Sequence, residues 1–186
     1  MPGLRVVGGE AKGRRLKMVP GSTTRPIGDR AKKALFDILG ADVVGSRFLD
    51  LFAGTGSVGI EALSRGAREA VFVDLAPAAI RVVQENLAVT GLSARATVLR
   101  ADALVFLQRQ PDEPFDYVFV APPQYHGLWL ETLRRIEAQE SLLAADGWVI
   151  VQIDPREKAD EQLRRWTRFD ERTYGQTALL FYRRES

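Results

Sequence analysis

A chain of 186 residues, 46% hydrophobic and 27% charged, is long enough for one α/β domain with a real core and too apolar to be disordered. It has no cysteine and a single histidine, His126, which excludes disulfides, thiolate metal centres and a His-rich site, so no metal is expected. No apolar run approaches a membrane span and no signal peptide opens the sequence, so a cytoplasmic protein away from membranes is expected.

The net charge of +2 is unevenly placed. Residues 1–33 carry nine basic side chains (Arg5, Lys12, Arg14, Arg15, Lys17, Arg25, Arg30, Lys32 and Lys33) against two acids, Glu10 and Asp29. A basic arm on a mildly acidic remainder points to a polyanion partner, the alternative being a solvated charged face.

In chain order, Leu4–Val7 and Leu16–Val19 are short apolar runs divided by Gly8, Gly9 and Gly13, and read as a β-hairpin. A loop with Pro20 and Pro26 follows. Asp29 is a candidate N-cap for a helix to Leu39, with Ala31, Ala34, Leu35, Ile38 and Leu39 as its apolar stripe and Lys32 and Lys33 off it; Gly40 stops it. From Arg47 strands and helices alternate. Strands are predicted at Phe48–Phe52, Ala70–Asp74, Ala96–Arg100, Phe115–Val120 and Trp148–Ile153. Helices are predicted at Ser57–Arg65, Pro77–Thr90, from Asp102 to about Arg109, at Leu128–Glu140, and around Leu163 and Trp166. The last two runs, Phe169–Tyr174 and Thr177–Tyr182, flank Gly175-Gln176 and read as a closing hairpin. This pattern gives a mostly parallel sheet with one antiparallel strand.

The stretch from Asp50 to Gly59 organises the chain. It holds Gly54, Gly56 and Gly59 between a buried strand and a helix N-terminus, where free N–H groups gather beside a tight turn. The glycine spacing, with Asp74 further on, matches a dinucleotide fingerprint. Asp50 and Phe52 add a second reading, Asp-x-Phe-x-Gly-x-Gly. An acid so close to the loop repels a pyrophosphate and suits a ligand bearing an ammonium group, such as the methionine end of S-adenosylmethionine. Ligands of such sheets sit beyond the strands' carboxyl ends. There Asp74 can take ribose hydroxyl protons, Leu75 can cover an adenine face, and Asp102 with the Ala103 backbone can meet the adenine edge. Each acid taken singly reads as a helix N-cap. A cofactor set of Arg25, Asp50, Phe52, Ala53, Gly54, Thr55, Gly56, Gly59, Asp74, Leu75, Asp102 and Ala103 is expected.

The segment Arg25-Pro26-Ile27-Gly28-Asp29-Arg30, then Ala34-Leu35-Phe36-Asp37-Ile38-Leu39, then Asp50–Glu61, resembles the RsmD family over nearly the whole chain. The resemblance implies a class I methyltransferase: a Rossmann-like seven-stranded sheet, mostly parallel, with an antiparallel closing hairpin and a small basic N-terminal β-hairpin. It divides the chain into a basic hairpin and linker, 1–24, and a methyltransferase domain, 25–186. It further implies methyl transfer from S-adenosylmethionine to the N2 amine of a guanine, guanine 966, of 16S ribosomal RNA. The partner is the small ribosomal subunit or an assembly intermediate, met by a monomer through Arg5, Lys12, Arg14, Arg15, Lys17 and Arg30. The family's catalytic motif is an acid, Asn or Ser, then Pro-Pro and an aromatic. Here Ala121-Pro122-Pro123-Gln124-Tyr125 puts alanine at the acid position and delays the aromatic by one residue. The catalytic candidates are therefore the Ala121 backbone, Pro122, Pro123 and Tyr125, with Gln124 or His126 as a replacement acceptor. Two other classes stay open on the residues alone: a non-catalytic RNA-binding or assembly protein, favoured by Ala121, and a nicotinamide-dependent dehydrogenase.

Overall fold

The computed structural model describes residues 3–22, 26–123 and 127–185. Its elements run α1 (Asp29–Leu39), β1 (Arg47–Leu51), α2 (Ser57–Ser64), β2 (Glu69–Asp74), α3 (Pro77–Thr90), β3 (Ala96–Arg100), α4 (Ala103–Phe106), β4 (Phe115–Val120), α5 (Leu128–Ala138), β5 (Leu143–Ile153), β6 (Trp166–Tyr174) and β7 (Thr177–Arg184). The strands form one seven-stranded sheet in the order β3-β2-β1-β4-β5-β7-β6. β1 to β5 are mutually parallel; β7 runs antiparallel to β5, and β6 antiparallel to β7. The strand order reverses between β1 and β4, the switch point where α/β sheets open a crevice.

Both sheet faces are covered, as a parallel sheet requires. One face carries Leu35, Phe36 and Leu39 of α1, Ile60 and Leu63 of α2, and Val83 and Leu87 of α3 against Phe48, Phe72 and Phe119. The other packs Trp129, Leu133 and Ile136 of α5 on Leu49, Val118 and Val149. α3 runs from Pro77 in its first turn to Gly91, whose φ of 72° closes the helix.

Apart from shifted element ends, such as β5 beginning at Leu143 and α4 ending at Phe106, the structure departs from the sequence reading at four places. Residues 3–19 pair by backbone bonds, Val6 N to Arg14 O and Leu16 N to Leu4 O, but hold only one bridge, Arg5 to Arg15, and form no strands. The N–H groups of Val7 and Gly8 donate instead to the Glu61 carboxylate, at 2.9 and 2.8 Å. The N-cap of α1 is Gly28; Asp29 occupies the first helical position and its carboxylate pairs with Arg5. Lys32, read as off the apolar stripe, is 0% exposed. The expected helix around Leu163 and Trp166 is absent. One short turn, Pro155–Glu157, is followed by irregular chain, and Trp166 opens β6. The Glu137 carboxylate there accepts from the N–H groups of Arg164, Arg165 and Trp166, donors that a helix would have needed for itself.

The N-terminal segment is stitched to the loop-bearing helices. Val6, Ala11 and Leu16 join the core. The Lys32 ammonium donates to Arg5 O at 2.6 Å and to Ser57 Oγ at 2.9 Å, and lies 3.2 Å from Glu61 Oε1. Asn86 of α3 accepts from Lys17 N, and its own amide donates to Lys17 O and Thr55 O. Burial pulls the Lys32 pKa down, opposed by Glu61.

Candidate active site

The turn after β1 is built on Asp50. Its side chain is 2% exposed and accepts from Gly59 N at 3.0 Å. Burial drives its carboxyl pKa up to about 8, the Gly59 bond opposes this, and the charge of Asp74 adds to it. Gly59 lets helix and strand approach closely. A Cβ there would lie 2.4 Å from the Phe72 ring, so its role is packing and fixing Asp50 rather than facing a ligand. Gly56, at φ 79°, faces inward as well, where a Cβ would meet both methyls of Val83 at 3.2 Å. Gly54 faces open space, and its N–H donates to Asp74 Oδ2 at 2.9 Å.

A cavity of about 490 Å³ opens over the switch point. Asp50, Phe52, Ala53, Gly54 and Thr55 line one wall, Phe119, Ala121 and Pro122 of the β4 end form the floor, and Gln152 with Gln176 and Thr177 closes the far side. Met18, Val19 and Pro26–Gly28 lie over it from the N-terminal segment. Of the predicted cofactor residues, Gly56 and Gly59 do not line this cavity, for the packing reasons given. Asp74, Leu75, Asp102 and Ala103 lie beyond it, past the ends of β2 and β3. Asp74 accepts from Gly54 N and, through Oδ1, from Ala76 N, joining the two parts. Leu75 is 60% exposed, an apolar side chain at the spot where an adenine face needs one. Asp102 caps α4, Oδ1 accepting from Leu104 N and Val105 N. Its Oδ2 bonds to no described residue. The acceptor set therefore fits a nucleoside carrying an ammonium group: a buried carboxyl with one partner, a second bonded to the loop and to the N-cap of α3, and a third with one oxygen bonded to no described residue.

Pro123 is exposed at the rim. Arg25, Gln124, Tyr125 and His126 lie outside the described residues. The predicted RNA contacts are spread over the arm and α1. Arg5 pairs with Asp29, Lys17 with Glu85, and Arg30 stacks over the Tyr174 ring at 5.6 Å. Lys12, Arg14 and Arg15 are exposed and have no ion-pair partner among the described residues. Sequence reasoning missed Gln152, Gln176 and Thr177. Gln152 lies within β5, one residue before its end, so a rule that looks only past strand ends passes over it.

A seven-stranded sheet of this order, with an acid-bearing glycine turn at its switch point, defines a class I methyltransferase fold. The chain belongs to the conserved hypothetical protein 95 family, the RsmD family, whose model matches residues 4–183. It is 33% identical over 183 residues to Ribosomal RNA small subunit methyltransferase D of Escherichia coli K12, covering 98% of this chain and 91% of that one. It is 32% identical over 186 residues to the protein of the same name from Haemophilus influenzae Rd, covering 96% and 93%. The solved structure of Escherichia coli yhhF is similar over 99% of both chains, with a TM-score of 0.87 at 34% identity. No helix among the described residues is long and apolar enough to cross a membrane, and these residues hold no cluster of three or more His, Asp or Glu side chains able to bind a metal.

Proposed function

We propose that this chain methylates the N2 amine of a guanine in 16S ribosomal RNA, within the small subunit or an assembly intermediate, as a monomer in the cytoplasm. The observation that carries this is the buried Asp50 carboxylate opening onto a cavity whose floor is Ala121-Pro122. When bound, S-adenosylmethionine supplies an electrophilic methyl group on sulfur. Asp50 holds the ammonium end, Asp74 the ribose, Leu75 the adenine face, and Asp102 the adenine amino group. An ammonium group favours the ionised form of Asp50, whereas a dinucleotide's pyrophosphate would oppose it. Lys12, Arg14 and Arg15 are free to meet phosphates, which position RNA without reading sequence.

Guanine N2 is a poor nucleophile because its lone pair is delocalised, and acceptors on its protons localise it. With Ala121 in place of an acid, main-chain carbonyls of the Ala121-Pro122 turn take part of that role. Losing one preorganised group costs about 3 kcal/mol of barrier, which positioning can tolerate. Ala121 also favours a second reading, an RNA-binding assembly protein on a methyltransferase fold. The test is transfer of labelled methyl to small subunits carrying unmodified 16S RNA, followed by digestion to nucleosides. Label in N2-methylguanosine is expected. Label in another nucleoside changes the substrate, and no label supports the second reading.

A further inference from the structure

We propose that Gln152 supplies the side-chain acceptor that Ala121 does not, bonding the amine of the target base through its amide oxygen. This rests on the guanine-methylation reading and names the group that works that site.

The sheet register places Gln152 there. β4 and β5 pair in parallel at Phe119–Ile150 and Val120–Val151, so the next step sets Ala121 beside Gln152. Adjacent strands lie about 4.8 Å apart, so an amide on Gln152 reaches the space above the Ala121 methyl. The side chain faces the cavity. Paired residues of neighbouring strands share a face, and Gln152 pairs with Leu179 of β7, which belongs to the same core as Phe119 and Ile150. Gln152 and Ala121 both line the cavity, with Asp50 across it. Gln152 is half-buried, and its amide makes no hydrogen bond to any described residue.

The chemistry fits an exocyclic amine next to a ring nitrogen. A glutamine amide offers an acceptor oxygen and a donor nitrogen side by side. The oxygen accepts a hydrogen bond from an N2–H, drawing the lone pair onto nitrogen, while the NH2 donates to the neighbouring N3 and fixes the ring plane. The same pair of bonds rejects adenine, which carries no amine at that edge. An amide is not a base, so the proton that N2 sheds goes to water. In this site the polarising group stands one strand over from the turn that carries the proline pair.

The test compares wild type, Gln152→Leu and Gln152→Glu on small subunits with unmodified 16S RNA. It uses single-turnover methyl transfer, calorimetric affinity for S-adenosylhomocysteine, and thermal melting. Gln152→Leu leaves an apolar side chain of similar bulk and removes both polar atoms. It should slow transfer about ten- to a hundredfold, with cofactor affinity and melting temperature unchanged. Gln152→Glu restores an acceptor and should return the rate to within about tenfold of wild type. A Gln152→Leu protein as fast as wild type overturns the proposal. So does equal slowing by both variants, or a fall in cofactor affinity or melting that accounts for the slowing. Wild type that transfers no methyl to guanine overturns the underlying function instead, a result visible before any variant is made.

Discussion

The two halves of the crevice are built by different means. On the cofactor side, past β1, β2 and β3, every acid is tied to backbone: Asp50 to Gly59, Asp74 to Gly54 and Ala76, Asp102 to Leu104 and Val105. On the acceptor side, at the carboxyl ends of β4 and β5 and the β6–β7 turn, the polar groups Gln152, Gln176 and Thr177 stand in an otherwise apolar wall that holds Phe119, Ala121 and Pro122. The first half is preorganised by local turns, each within a few residues of its acid or one strand away. The second is assembled from distant segments and left open for a substrate to complete. The cofactor half should therefore fail in large steps and the acceptor half in small ones.

The largest effect should come from the support under the cofactor loop. Glu61 is fully buried and takes Lys32, Arg65 and two backbone donors of the arm. Glu61→Ala strands the Lys32 charge, and urea denaturation should show a loss of about 3–5 kcal/mol. A loss below about 1 kcal/mol, the range of exposed pairs, would mean that the arm docks without this network. For the same reason residues 1–20 are not a detachable tag, and their deletion should destabilise the cofactor loop as well as weaken RNA binding.

Asp50 comes next. Asp50→Asn should weaken S-adenosylmethionine binding about a hundredfold by calorimetry, the loss of a charge-assisted contact worth about 1.5–3 kcal/mol. Stability should move the other way. The folded carboxyl titrates at about 8 against an ordinary 3.8, so the folded state holds this proton more tightly. That contribution is complete at low pH and is lost as pH rises from about 4 to about 8. The variant lacks this loss, so the unliganded protein should melt higher than wild type at pH 8. Cofactor affinity of wild type should grow over the upper part of the same range, as the carboxyl ionises. A variant melting at or below wild type would place a cation beside Asp50 before the ligand arrives.

The smallest effect belongs to the arm surface. Arg14→Gln and Arg15→Gln should leave cofactor affinity unchanged, and each should lower the slope of log RNA affinity against log salt by about one unit. Unchanged slopes would make these side chains a solvated face.

How much of this was legible in the sequence follows the same division. α3, β3 and β4 were readable to the residue because Pro77 and Gly91 bound the helix and β-branched and aromatic residues dominate the two short strands, ATVLR and FDYVFV. The acids Asp50, Asp74 and Asp102 were readable because each lies within two residues of the end of its own strand. Lys32 was not: burial of a lysine depends on Glu61, 29 positions away, and on Arg5 O and Ser57. Nor was Gln152, whose place beside Ala121 is a matter of strand register between segments joined through α5. The missing helix before β6 failed for the same reason, since Glu137 of α5 captures its backbone donors.

The acceptor half remains catalytic with alanine at position 121. The most direct measurement is the single-turnover rate of methyl transfer to small subunits at saturating S-adenosylmethionine, for wild type and Ala121→Asp side by side. Wild type should transfer methyl, with Ala121→Asp at most about a hundredfold faster, the value of one preorganised group. Tight cofactor binding by wild type with no transfer, and transfer by Ala121→Asp alone, would contradict it.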